Sequence, residues 1–300
     1  MGDGWPDHRG RRTLPPEGGG AAPRSRLAAW NKQNMTYIPR KPTILSRVPF
    51  WLLAIALLFT IGFWFIGTDA TYSQIFRAVS GGLVTTLWVT AVAFFAATLI
   101  DLLVALARTS GNRLLAELAT FYVEIIRGIP VLVFLFYVAF VAAPAMVVAI
   151  NWALQPFDTA ITIRQFDFAW RAIVALTVCY SAFIAEIFRA GIESVDRGQL
   201  EAARSLGLSR WKCFRLVTFP QALRTILPPL ANDFVSMIKD SALVSALGVQ
   251  DITQLGKVYS SGTFLFFETY NVVALLYLTL TISLSLLVRI LERYLRESQR

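Results

Sequence analysis

Asp101, Glu186, Asp233, Lys239 and Asp240 stand well inside long apolar runs of this chain. A charge in such a setting is costly, and it faces protein or a water-filled path. Lys239 has no opposite charge three or four residues away. It therefore needs a partner on another segment, or the carboxylate of a ligand. Adjacent residues point about 100° apart on a helix, so Lys239 and Asp240 cannot share one direction. Glu124 with Arg127, and Glu186 with Arg189, are three apart and can pair along one helix face. Such pairs hold a bundle or a gate together rather than touch a ligand. Carboxylate-only chemistry through Asp101, Glu186 and Asp233 stays open. Histidine chemistry does not, because the sole histidine is His8, far from these runs. No catalytic constellation and no metal-ligand set follows from the pattern. No GxxxxGK[ST] phosphate loop occurs, so ATP is not held by that means in this chain. Cys179 and Cys213 fall at different depths, one in an apolar run and one in a basic stretch, so no disulfide is expected.

The elements that position these charges follow from composition. Of the 300 residues, 56% are hydrophobic and only 16% charged, too much apolar surface for a soluble interior, so an all-α protein crossing a membrane is expected. A spanning helix needs roughly 20 mostly apolar residues. Six segments qualify, at about 48–67, 82–107, 128–150, 168–190, 227–250 and 270–290. Their continuous apolar character points to helices rather than a barrel. Residues 1–47 carry six Gly, six Pro and nine Lys or Arg without apolar periodicity, and read as a disordered basic tail. Lys and Arg sort by alternate segments. The tail has nine, residues 108–127 three, 189–224 seven and 289–300 four, against Arg77, Arg164, Arg171 and Lys257 on the other side. Both termini are therefore expected in the cytoplasm, with 293–300 a short second tail.

Residues 197–221 form the longest polar stretch between two apolar runs. Asp196 with Gln199 offers a capping box at a helix start. Gly207 offers a left-handed helix end, Ser209 the cap of a second short helix, and Pro220 an end or kink to that helix. Ala202 and Ala203 leave one flank small enough for close docking, with Glu201 as a directional charge. Read from these residues alone, the stretch is equally a solvated cytoplasmic loop.

The same residues resemble the EAA loop of binding-protein-dependent ABC importer permeases. Glu201-Ala202-Ala203 is followed at the expected spacing by Gly207, then by Val217 and Phe219-Pro220. The likeness extends over most of 81–292 and is similar to the polar amino acid subgroup. It is carried by Gly82 with Thr86-Leu87, "ALARTS" at 105–110, "YVEIIRGIP" at 122–130, "AFIAEIFRAGI" at 182–192 and "KDSALVSALGV" at 239–249. Asp101 departs from it, standing where glycine is expected, which bears on local packing and on the substrate carried.

The resemblance implies a MetI-like permease core of five helices over 81–292, preceded by one helix at 48–67, in the inner membrane. It implies that Gln199, Glu201, Ala202, Ala203, Gly207 and Pro220 couple to an ABC ATPase dimer through 197–221. ATP would be bound by that partner, leaving this chain non-catalytic and without a cofactor. It also implies an extracytoplasmic solute-binding protein and a second permease copy or paralogue, and no nucleic acid. Lys239, Asp240, Asp101 and Glu186 are the candidates for a path taken by polar amino acids. An ion- or proton-coupled secondary transporter is the alternative, which would require its own coupling-ion site and two matching halves. No repeat of motifs is seen.

Overall fold

The computed structural model describes residues 50–109, 111–157 and 160–297, and all regular structure among them is helical. The expected basic tail over 1–47 lies outside the described residues, as do 298–300 of the short second tail. The chain divides into two compact units at Ala56/Leu57. Helix α1 (Phe50–Thr68) begins in the first and continues into the second; it is apolar throughout and buries no residue. Everything that follows belongs to the second unit.

Asp69 caps α2 (Ala70–Ser80), accepting from the N–H groups of Thr71 at 2.7 Å and Tyr72 at 3.1 Å. This short amphipathic helix buries Ile75 and Val79 with Ile252, Val272 and Leu276. It is followed after Gly81 by α3 (Gly82–Arg108). The buried side of α3 carries Val89, Ala93, Ala97, Asp101 and Ala105, each four apart. Small residues in such a stripe let a neighbouring helix approach closely. The neighbour is α7 (Phe168–Glu193), whose Ala172, Ala175, Leu176, Cys179, Ala182 and Ala185 join the same core.

Between them come α4 (Arg113–Gly128), capped by Asn112, and a third span in two pieces, α5 (Val131–Tyr137) and α6 (Ala143–Leu154). A π-turn over Val138–Ala142 joins the pieces, just ahead of Pro144, which has no N–H for a regular helical bond. The buried Arg171 fastens the far end of α7, donating to the carbonyls of Phe166 at 2.7 Å and Ile163 at 2.9 Å.

The expected fifth span is corrected by the structure. Helix α10 covers Phe219–Asp240, then gives way to a 3₁₀ stretch over Ser241–Leu247 and a left-handed turn at Gly248. No continuous helix fills 227–250. The helix begins nine residues before Pro228 and runs through both Pro228 and Pro229. With Asn232, Asp233, Lys239 and Asp240 in it, α10 is too polar to rank with the others. Among the described residues five helical stretches are long and apolar enough to cross a membrane.

Helix α11 (Ile252–Thr263) and helix α12 (Phe266–Glu297) complete the fold. Asp251 caps α11 through the Gln254 N–H at 2.8 Å and accepts from the Tyr277 hydroxyl at 3.1 Å. Its burial pushes the carboxyl above the ordinary carboxylate range, although these bonds pull the other way. The backbone of Asp251 and Ile252 lies directly on Gly82 of α3, so close that no Cβ fits there. The Thr86 hydroxyl, one turn on, accepts from the Ile252 N–H at 3.4 Å. That contact accounts physically for the Gly82 and Thr86 spacing.

Candidate functional site

The polar stretch 197–221 folds into the two short helices its residues suggest. Helix α8 (Arg197–Ser205) starts at Asp196, whose carboxylate accepts from the Gln199 N–H at 3.1 Å. The Gln199 side chain does not complete a capping box; its oxygen accepts from the Gln221 side chain at 2.6 Å, tying α8 to the start of α10. The helix ends with the Leu208 N–H on the Ala203 carbonyl at 3.2 Å and the Gly207 N–H on that of Arg204 at 2.9 Å. Gly207 sits at φ 79°, a left-handed geometry that glycine alone adopts without strain. Ser209 then caps α9 (Arg210–Cys213) through the Lys212 N–H at 3.4 Å.

Pro220 does not end this second helix. A π-turn over Phe214–Thr218 absorbs the missing donor, and Pro220 becomes a first-turn residue of α10. The chain from Arg210 to Asp240 is thus helical without a break. Ala203 is buried, while Glu201 and Ala202 are exposed, as is Leu206 at 83%. Leu206 and the exposed Trp211 give the stretch an apolar tip that the sequence pattern did not single out. Underneath, Val195, Ala222 and Ile226 anchor it between α7 and α10, with Leu200 packed against them.

Higher along α7 and α10 lies a groove of about 560 Å³. Arg127, Tyr180, Phe183, Glu186, Asp233 and Asp240 supply its charged and aromatic lining. The Tyr180 hydroxyl donates to Asp240 Oδ2 at 2.7 Å. Glu186 accepts from Arg108 of α3 at 2.6 Å and pairs with Arg189, which also reaches Glu193 at 2.6 Å. The Arg108 contact joins α3 to α7 across 78 positions of sequence.

Of the expected residues, the groove gathers Asp240, Glu186 and Arg127. Lys239 is exposed and lies outside the lining, as its 100° offset from Asp240 requires. Asp101 is fully buried and outside the lining, with neither carboxylate oxygen hydrogen-bonded. The Glu186–Arg189 pair forms, but Glu124 and Arg127 do not pair among the described residues. Glu124 is exposed, and the Arg127 guanidinium lies over the Phe183 ring, 5.5 Å from its centre. A cation–π contact competes well with an exposed ion pair, which is worth little. Tyr180 and Phe183 escaped the sequence reading because nothing local marks an aromatic on a packed helix as groove-lining.

A model of the family described as "Binding-protein-dependent transport system inner membrane component" matches residues 97–297. The glutamine transport system permease protein GlnP of Escherichia coli strain K12 is 35% identical over 212 residues, covering 70% of this chain and 90% of that protein. A crystal structure of an amino acid ABC transporter with histidines is 36% identical, with TM-score 0.61, over 75% of this chain and 95% of the other. The MetNI methionine ABC transporter, in an inward-facing conformation, shares the fold at 23% identity and TM-score 0.57, covering 74% and 98%.

Proposed function

Because the chain belongs to the family of binding-protein-dependent transport system inner membrane components, we propose that it carries amino acids through the membrane in an ATP-driven importer. The observation that supports this most is the continuity of one helical path. It runs from the exposed two-helix stretch, through the π-turn, into the helix that lines the groove.

In this reading Glu201, Ala202, Gly207 and the apolar tip at Leu206 dock into an ABC ATPase, which binds and hydrolyses ATP on its own chain. Gln199 and Pro220 fix the angle between the docking stretch and α10. Closure of the ATPase pair shifts α8, and α10 transmits the shift to the groove, biasing two arrangements of the bundle. The Arg108–Glu186–Arg189 set holds α3 to α7 at that level. Asp240 and Glu186 lie on the amino acid's path. Asp101 acts from outside its lining. Lys239, turned away from the groove, belongs to the contact with a second permease copy or paralogue. A solute-binding protein on the far side delivers the cargo, and both termini face the cytoplasm.

The test is at the docking stretch. Glu201→Lys reverses the docking charge, and Gly207→Val imposes a left-handed conformation costing about 1–2 kcal/mol on a branched residue. Both variants should insert normally yet copurify poorly with the ATPase or hydrolyse ATP without uptake. Wild-type uptake and ATPase association in both would reduce the stretch to an ordinary loop.

A further inference from the structure

We infer that the groove selects an amino acid with a positively charged side chain, held between Asp233 and Asp240 while Arg127 receives its carboxylate. The inference rests on the groove being the cargo path. Asp233 and Asp240 are seven residues apart on α10 and both line the groove. Seven residues is nearly two turns, so the carboxylates share a face about 10 Å apart along the axis. No hydrogen bond or ion pair to Asp233 is found among the described residues. Tyr180 occupies only Oδ2 of Asp240.

The other charges of the lining can be set against each other. Glu186 is matched by Arg108 and Arg189. Arg127 has no carboxylate partner among the described residues, and its guanidinium is kept in place by Phe183. Lys239, although next to Asp240, is exposed and outside the lining, so it does not cancel that charge. What remains unmatched is one cation and two carboxylates. The complement is one carboxylate and two cations, the charge set of a basic amino acid.

A neutral amino acid would leave one groove carboxylate uncompensated, and an acidic one would add a like charge, so both are disfavoured by what they leave unpaired. The rings of Tyr180 and Phe183 supply apolar wall for the side-chain stem and a face for its cation.

The test is equilibrium binding of radiolabelled lysine, norleucine, glutamine and glutamate to the transporter complex in lipid nanodiscs. Norleucine keeps the lysine stem and lacks its ammonium, so the comparison needs no altered protein. Lysine should bind at least about tenfold tighter than norleucine or glutamine, the worth of one charge-assisted hydrogen bond. Glutamate should bind weakest. Asp233→Asn and Asp240→Asn, judged folded by an unchanged elution profile, should each narrow the lysine–norleucine gap. Glutamine or glutamate binding as tightly as lysine would overturn the inference and leave amino acid import standing. If all four probes failed to bind and none were taken up with ATP, the import reading would fall as well.

Discussion

Replacing Gly82 by alanine is the sharpest test of how α3 is seated. A Cβ there would lie 2.5 Å from the Asp251 carbonyl carbon, 2.7 Å from its oxygen, and closer still to the Ile252 nitrogen. Ordinary contact begins near 3.4 Å, and the obstructing atoms are backbone, which cannot rotate away as a side chain would. The two segments must separate by most of an ångström. Overpacking of this kind costs about 1–3 kcal/mol. The same separation stretches the 3.4 Å bond from the Ile252 N–H to Thr86, worth about 1 kcal/mol more. A loss of about 2–4 kcal/mol should lower the melting midpoint in detergent by about 5–10 °C. Gly81, the preceding residue, has nothing within 4 Å of its Cβ position and an ordinary right-handed backbone. Gly81→Ala should therefore be neutral within about 0.5 kcal/mol. Size-exclusion thermostability of the two alanine variants decides the matter, and equal midpoints would refute the proposed contact.

Two further substitutions probe the packing around the groove. Gly191→Ala would press on the Ile226 side chain, with its Cδ1 at 2.9 Å, so it should destabilise the bundle and be partly rescued by Ile226→Ala; additive losses in thermal unfolding would contradict that contact. Glu186→Gln leaves Arg108 without its carboxylate and Arg189 with Glu193 alone, and should cost about 1–3 kcal/mol, whereas Glu124→Gln, exposed and without an ion pair among the described residues, should leave the melting midpoint unchanged.

What could be read from the sequence was local. Asp196, Gly207 and Ser209 announce a helix start, a helix end and a second start through chemistry that acts within three residues, and each does so in the structure. The Glu186–Arg189 pair was visible for the same reason. The identical spacing of Glu124 and Arg127 misled, because spacing permits a pair but does not weigh it against a ring on another helix. The groove was hidden because it is assembled from α4, α7 and α10, and the Tyr180–Asp240 bond spans 60 positions. The fifth span was overdrawn because average hydropathy does not register a change from α to 3₁₀ at Ser241. Helix α2 falls between the expected spans, and its buried Ile75 and Val79 help seat α11 and α12.

The central claim is that this chain moves amino acids when a separate ATPase hydrolyses ATP. The most direct measurement is accumulation of labelled lysine and glutamine in proteoliposomes holding the chain with its ATPase and binding protein, with ATP enclosed or an ion gradient imposed. Accumulation should require ATP, survive ionophores that collapse ion gradients, and be lost with Glu201→Lys. Accumulation driven by the gradient in the absence of ATP would contradict it.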